Sequence, residues 1–251
     1  MSFAGLKISA VIPTMNEADN LPHVLTRIPA SVDEIIIVDG HSTDDTIGVA
    51  RGWCPDARIV LQNGKGKGNA LACGFAAASG DIIVMLDADG STDPAEIPEF
   101  VAALIEGADF AKGSRFARGG GSTDITPLRR AGNSVLNATV NALFGTHYTD
   151  LCYGYNAFWR HCLDHMHVTC DGFEVETVIN VRVARSGLTV REVPSVEHER
   201  LHGESKLHVV RDGTRVLKTI VRERLRRTDA GDTWRPRFDE LGPETDVLVA
   251  A

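Results

Sequence analysis

The sequence predicts an α/β protein built on a mostly parallel sheet with helices on both faces. Three observations predict it. Short apolar runs alternate with amphipathic, helix-length stretches through the first half of the chain. The runs KISAVIP, EIIIVD and DIIVMLD are apolar almost throughout, as strands buried on both faces are. The polar segments TMNE, DGHSTDD, NGKGKG and DADGSTD all fall where strands end. In open α/β sheets ligands bind outside the carboxyl ends of the strands, so four loops are expected to converge on one edge.

Taken in order, KISAVIP is the first strand and LPHVLTRI, after Asn20, the first helix. EIIIVD and DTIGVAR form the second pair, with Ser42 or Thr43 expected to cap the helix. RIVLQ and NALACGFAAA form the third pair, and DIIVMLD is the fourth strand. The second half is less regular. DFAKGSRF reads as a strand and its exit loop, GGGSTDITP as a flexible connection, and LRRAGNSVLNATVNALFG as a helix closed by Gly145. FEVETVINVRVARSG is a helix ended by Gly187, and TVREVP a strand stopped by Pro194. No internal repeat is visible.

Residues 206–227, KLHVVRDGTRVLKTIVRERLRR, place Val209, Val210, Val216, Leu217, Ile220, Val221 and Leu225 at roughly helical spacing and read as an amphipathic helix. That segment carries eight Lys and Arg against two acids, a net of +6 in a chain whose formal charge is −8. Residues 228–251 carry six acids against two bases, a net of −4, and with their Pro, Gly and Asp are expected to be disordered. The expected organisation is a domain over residues 1–205, the basic helix over 206–227 and the acidic tail over 228–251.

With 251 residues, 43% of them hydrophobic, the chain can bury a sizeable core. The acidic surplus argues against a general nucleic-acid binder, which needs Lys and Arg to neutralise phosphates. Five cysteines, odd in number and without CxxC spacing, and an N-terminus lacking a secretory signal's basic and apolar regions, read as a reduced, cytoplasmic protein. The longest uninterrupted aliphatic stretch, Ile82 to Leu86, falls far short of the roughly 20 residues that cross a bilayer. Association with a second copy is compatible with this composition and is not specified by it.

The stretch VMLDADGSTDP turns an apolar strand into three carboxylates, Asp87, Asp89 and Asp93. Carboxylates gathered this closely repel one another and lose hydration, so a cationic partner is expected among them. Alternate residues Asp87 and Asp89 can approach one Mg²⁺ or Mn²⁺, hard cations that prefer oxygen and share their shell with substrate phosphates. Alone the pattern reads equally as a solvated turn, with Asp93-Pro94 capping a helix. Asp39, at the end of the second strand, can accept hydrogen bonds from a base or ribose, and NGKGKGNA has the glycine density that admits phosphate, with Lys65 and Lys67 adding charge. Its resemblance to a dinucleotide fingerprint is discounted, because it follows the third strand and lacks the final spaced glycine.

In this order the segments VIPTMNEADNL, VDGHSTDDT, GKGNALACGFAAASGDIIVMLDADGSTDP, KGSRF with GGG and PLRR, TDLCYGYNAF and EVPSVEHERLHGESKL resemble the family 2 inverting glycosyltransferases. Within these, they are similar to the dolichol-phosphate mannose synthase-like enzymes that make polyprenyl-phosphate sugars, over about residues 7–210. The resemblance implies a GT-A type, Rossmann-like nucleotide-sugar-binding fold. It implies that Pro13, Asn16, Glu17 and Asp39 contact the donor nucleotide and that Asp87 and Asp89 hold the metal on its diphosphate. It further implies that Arg115, Arg129 or Arg130, Arg200 and Lys206 face phosphate, a role that suits guanidinium and ammonium groups; alone, each would read as a surface ion pair. Three departures stand out: Gly40 and Ser91 occupy positions where many relatives carry an acid or a further metal-directed side chain, and CYGY replaces a TSGF-like loop.

HCLDHMHVTC invites a zinc reading, but its spacings repeat no recognised finger or ribbon and no second Cys/His cluster completes one, so it reads as a connection. Asp171, Glu174 and Glu176 of DGFEVE read either as possible bases or as first-turn acids that complement a helix dipole. The favoured function is transfer of a sugar from a nucleotide-diphosphate sugar, of GDP-mannose or UDP-glucose type, to a polyprenyl phosphate, with helix 206–227 either meeting anionic headgroups or packed on the domain. The alternative is a soluble transferase using a small hydroxyl-bearing acceptor. A nucleotide-sugar-binding module without catalysis would need an impaired metal site, and a sugar nucleotidyltransferase would need a long glycine-rich loop after the first strand, where TMNEADN has no glycine.

Overall fold

A computed structural model of the chain describes residues 3, 5–203, 208–226 and 239–241. Strands β1 (Ile8–Thr14), β2 (Glu34–Asp39), β3 (Arg58–Leu61) and β4 (Ile82–Met85) alternate with helices α1 (Leu21–Leu25), α2 (Thr46–Trp53) and α3 (Gly66–Ala77). A 3₁₀ turn at Pro94–Glu96 leads into α4 (Ile97–Ile105) and β5 (Phe110–Ser114). The short strand β6 (Gly121–Ser122) precedes the long helix α5 (Pro127–Phe144), which Gly145 ends in the left-handed conformation. Then follow β7 (Asn156–Trp159), the short α6 (Leu163–Met166), α7 (Val175–Arg185), β8 (Val190–Pro194), β9 (Val196–Glu197), α8 (Val209–Leu225) and β10 (Asp239–Leu241).

Eight strands form one sheet in the order β10-β3-β2-β1-β4-β7-β5-β8. The pairs β3-β2, β2-β1, β1-β4 and β5-β8 are parallel, while β7 runs antiparallel between β4 and β5. The apolar runs are continuous because both faces are buried. Ile8, Ala10 and Ile12 of β1 pack beneath α1, α2 and α4, whereas Val11 with Ile36 and Val38 of β2 packs beneath α3 and α7. A third apolar cluster joins Leu136 and Val140 of α5, Val181 of α7, and Val216 and Ile220 of α8.

Three features differ from the sequence expectation. The connection GGGSTDITP is not wholly irregular, since Gly121–Ser122 pairs with β9 and Thr126 caps α5 by accepting from the Arg129 N–H at 3.2 Å. The apolar positions of α8 divide: Val216 and Ile220 face the domain, while Leu217, Val221 and Leu225 are exposed at 44%, 48% and 77%. Within the tail expected to be disordered, Asp239–Leu241 pairs antiparallel with β3; the rest of residues 228–251 lies outside the described residues.

Candidate active site

The carboxyl ends of β1, β2 and β4 meet at one edge, where side chains lace the first two exit loops together. Asn16 adopts φ 58°, a left-handed conformation that Asn tolerates better than most residues. Its N–H donates to Ser42 Oγ at 2.9 Å, and its Oδ1 accepts from the Thr43 N–H at 2.7 Å. The Glu17 N–H donates to Thr46 Oγ1 at 2.9 Å. Ser42 and Thr43 therefore brace the β1 loop and do not cap α2, whose N-cap position is Asp45. Asp39 is buried at 1% exposure and accepts from the Ser42 N–H at 2.9 Å and from Ser42 Oγ at 2.6 Å. Pro13 lies in β1 opposite Val38.

Beyond β4 the chain delivers Asp87 and Asp89, and each carboxylate meets a cationic side chain. Lys67 Nζ stands 2.6 Å from Asp87 Oδ1 and 2.8 Å from Glu176 Oε1. Burial alone would lower the Lys67 pKa, but the two carboxylates hold its ammonium well above the ordinary lysine range. Arg200 Nη2 donates to Asp89 Oδ2 at 2.9 Å, and its Nη1 donates to Glu17 Oε1 at 3.1 Å. The surrounding strap is docked by backbone bonds, His198 N–H to Ser91 O at 2.8 Å and Leu201 N–H to Asp89 O at 3.3 Å. The cationic partner expected among these aspartates is thus supplied in part by Lys67 and Arg200.

Two expectations are corrected here. The glycine-rich stretch packs against the chain before α7, where phosphate was expected: a Cβ at Gly66 or Gly68 would stand 2.1 Å from Asp171 O or 2.0 Å from Cys170 O, and the Gly68 N–H is taken by Asp171 O at 3.0 Å. Those glycines let the segment before α7 lie across the start of α3, which brings Glu176 to Lys67. Lys67 itself is paired with Asp87 and Glu176. Asp93 turns away from Asp87 and Asp89, accepting from the Ala95 N–H at 2.9 Å and pairing with Arg27.

The arginines separate. Arg115, expected at phosphate, is buried: its Nε and Nη2 donate to Asp150 at 2.7 and 2.9 Å, and its Nη1 donates to both Glu197 oxygens at 3.0 Å. The two carboxylates prevail over burial and raise its pKa. With its donors so occupied, Arg115 holds structure, which corrects its assignment to phosphate. Arg129 pairs with Asp124 at 2.6 Å. Arg130 is exposed, its guanidinium 5.3 Å from the Phe116 ring centre. Lys206 lies outside the described residues.

Sequence reasoning undervalued Glu176 and missed Gly154 and Lys112. DGFEVE did mark Glu176, but its place beside Asp87 needs the close packing of residues 170–172 on α3. Lys112 is fully buried on β5 and donates to Gly113 O at 3.3 Å, its pKa lowered by burial. In HCLDHMHVTC, His161 pairs with Asp109 at 3.1 Å and Cys162 Sγ donates to Asp109 O at 3.3 Å.

The residues fit a hard divalent cation. Asp87 and Asp89 supply two oxygen-donor side chains, while among the described residues no group of three or more His, Cys, Asp or Glu could hold a metal ion by itself. A site of two carboxylates leaves coordination positions for water and phosphate, the way Mg²⁺ is usually held. Gly154 keeps the space above Asp87 open, since a Cβ there would stand 3.2 Å from Asp87 Oδ2.

Comparison with known proteins bears on this arrangement. Residues 9–166 match the model of the family described as glycosyl transferase family 2. The chain is 31% identical over 220 residues to the glycosyltransferase AglJ of Haloferax volcanii, an alignment covering 86% of this chain and 71% of that protein. It is 30% identical over 214 residues to the undecaprenyl-phosphate 4-deoxy-4-formamido-L-arabinose transferase of Aeromonas hydrophila, covering 79% of this chain but 62% of that protein. Among solved structures, glucosyl-3-phosphoglycerate synthase from Mycobacterium tuberculosis, in complex with Mn²⁺, uridine diphosphate and glucosyl-3-phosphoglycerate, superposes with a TM-score of 0.67 at 28% identity, covering 91% of this chain and 83% of that one. The same enzyme with phosphoglyceric acid gives a TM-score of 0.71 at 27% identity, covering 88% and 80%.

Proposed function

The chain belongs to glycosyl transferase family 2 and is a glycosyltransferase of GT-A type fold, and from that premise we propose that it moves a sugar from a nucleotide-diphosphate sugar, of GDP-mannose or UDP-glucose type, to a polyprenyl phosphate. The observation that carries the proposal is the pair Asp87 and Asp89, aligned at the end of β4 and flanked by Lys67, Glu176 and Arg200. Pro13, Asn16, Glu17 and Asp39 border the nucleotide side of the same edge. When bound there, Mg²⁺ or Mn²⁺ would neutralise charge gathering on the departing diphosphate.

The chain's own residues do the rest. Lys67 fixes the Asp87 carboxylate, and Arg200 brings a guanidinium to the side of Asp89 where phosphate oxygens gather. Glu176, buried beneath Gly154, holds Lys67 together with Asp87. The acceptor attacks the anomeric carbon from the opposite face and inverts it. A phosphate monoester has a second pKa of about 6 and is already largely ionised, so no strong general base is required of the protein. Of the arginines that the resemblance assigns to phosphate, Arg130, exposed at the start of α5, is the one we place against that acceptor phosphate.

The name of the Aeromonas relative, which includes an undecaprenyl phosphate, supports the lipid acceptor. Among the described residues no helix is long and apolar enough to cross a membrane, and we place these residues against the cytoplasmic face of the membrane as a peripheral contact. The exposed apolar stripe Leu217, Val221 and Leu225 beside Lys218 and Arg222 on α8 supports such contact. A second reading is a soluble transferase acting on a small hydroxyl-bearing acceptor, supported by the likeness to a synthase solved with phosphoglyceric acid.

Isothermal titration with GDP, UDP, dTDP and ADP in the presence of Mn²⁺ tests the donor site. One nucleotide should bind with metal and lose binding in Asp89→Asn. Absence of binding by all four, with and without metal, would remove the main support for the reading. Liposome flotation separates the two acceptors: failure of the full chain to float with anionic vesicles containing undecaprenyl phosphate would favour the soluble one.

A further inference from the structure

Arg115 has its donors committed and lies away from solvent, yet it is tied to both segments that flank the aspartates. Asp150, which takes its Nε and Nη2, lies four residues before Gly154. Glu197, which takes its Nη1, lies three residues before Arg200. Gly154 stands over Asp87, and Arg200 reaches Asp89 at 2.9 Å. Two loops distant in sequence therefore hang on short leashes from one guanidinium, one arriving over each aspartate.

We propose that Arg115 is a positioning residue, which sets the loop 150–154 and the strap 196–203 relative to each other and so places Gly154 and Arg200 about Asp87 and Asp89. The inference rests on the transferase reading of this cleft. Its geometry is over-determined. Arginine's planar fork engages two carboxylates at once, which a single ammonium cannot do in the same way. The guanidinium carbon lies 5.0 Å from the ring centre of Tyr153, a residue of the first segment, and the Tyr153 hydroxyl is 2.8 Å from Ser195 Oγ, at the foot of the second. Lys112, fully buried on β5 three residues before Arg115, has Asp150 as an electrostatic neighbour. A group that touched substrate would need donors to spare, and this one offers them to the two segments.

Backbone hydrogen exchange on the full chain, with and without UDP and Mn²⁺, tests the proposal in wild type, Arg115→Lys, Asp150→Asn and Glu197→Gln. Arg115→Lys should raise exchange at least tenfold in both 150–154 and 196–203 while β1 and β2 keep wild-type protection. Asp150→Asn should loosen the first segment alone, and Glu197→Gln the second alone. Unchanged protection of both segments in Arg115→Lys, uniform loss that includes β1 and β2, or the same response from both carboxylate variants would overturn the proposal. So would loss of inorganic phosphate binding in Arg115→Lys with both segments still protected, because that would make Arg115 a direct ligand. If Arg115→Lys does not fold, the pattern in the two carboxylate variants decides. Failure of wild type to bind UDP, or GDP, dTDP or ADP in its place, with Mn²⁺ would defeat the transferase reading and leave the exchange pattern intact, so the two failures are distinguishable.

Discussion

At Gly154 one added methyl group would stand 2.9 Å from Lys67 Nζ and 3.2 Å from both Asp87 Oδ2 and Glu176 Oε1. Overpacking of this kind costs about 1–3 kcal/mol, and because it falls on the group that fixes Asp87, Gly154→Ala should weaken Mn²⁺-dependent nucleotide binding by about tenfold or more. Titration against wild type checks this, and a variant that binds equally well would place the ligand elsewhere. Asp87 and Asp89 stood out in the sequence because an apolar strand runs into alternate carboxylates, a pattern that alone reads equally as a solvated turn and gains meaning from the other segments around it. The fate of Arg115 was not legible there. Its partners lie 35 and 82 positions away, and only the fold reveals that its donors are already taken. Lys67 shows the same limit: beside glycines it reads as a phosphate ligand, until Asp87 and Glu176 are seen to share it.

Glu34, at the opposite end of the sheet from the cleft, pins several elements at once. It accepts from Ser9 on β1, from the Ser79 N–H at 2.8 Å before β4, and from Arg58 Nη1 at 2.9 Å on β3. Burial would raise its pKa, but the hydrogen bonds from Ser9, Ser79 and Arg58 hold it down at about 2, below its ordinary 4.5. A carboxylate depressed in this way contributes stability above its unfolded pKa and loses it as pH falls through the folded value. The contribution should therefore fade between about pH 4.5 and about pH 2. Glu34→Ala should lower unfolding stability at pH 7 by about 1–3 kcal/mol, and the gap to wild type should close across that window in urea titrations. A constant gap would assign the effect to packing. At this scale the parallel strands were legible because double burial makes them apolar throughout. Strand β7 was not: NAFW is short, and its antiparallel place between β4 and β5 is a choice made by the whole sheet.

Taken whole, the molecule segregates charge. Helix α8 is seated by the buried pair Arg182 and Glu223, 2.7 Å apart, and turns Leu217, Val221 and Leu225 outward with its basic side chains. If this face meets lipid, binding to anionic vesicles should weaken as salt rises, since surface charges more than about 10 Å apart are screened at 0.1 M. Leu217→Ser with Leu225→Ser should weaken it further while nucleotide binding stays at the wild-type level. Co-sedimentation at two ionic strengths checks both expectations, and salt-independent binding would assign the contact to apolar insertion alone. The amphipathic helix was legible from its periodicity. Which apolar residues it buries was not, because that depends on α5 and α7, which lie beneath it.

The pairing of β10 with β3 has a practical consequence for anyone shortening the chain. Asp239, Glu240 and Leu241 lie opposite Leu61, Val60 and Ile59, so they lid what would otherwise be the open margin of the sheet. A bare strand margin is a template that recruits other strands. Deleting residues 227–251 to remove an acidic appendage would also uncover that template, and such a preparation should self-associate as its concentration rises, visible as growing mass in light scattering while the intact chain holds steady. Trimming from the far end back to residue 242 would leave the lid in place.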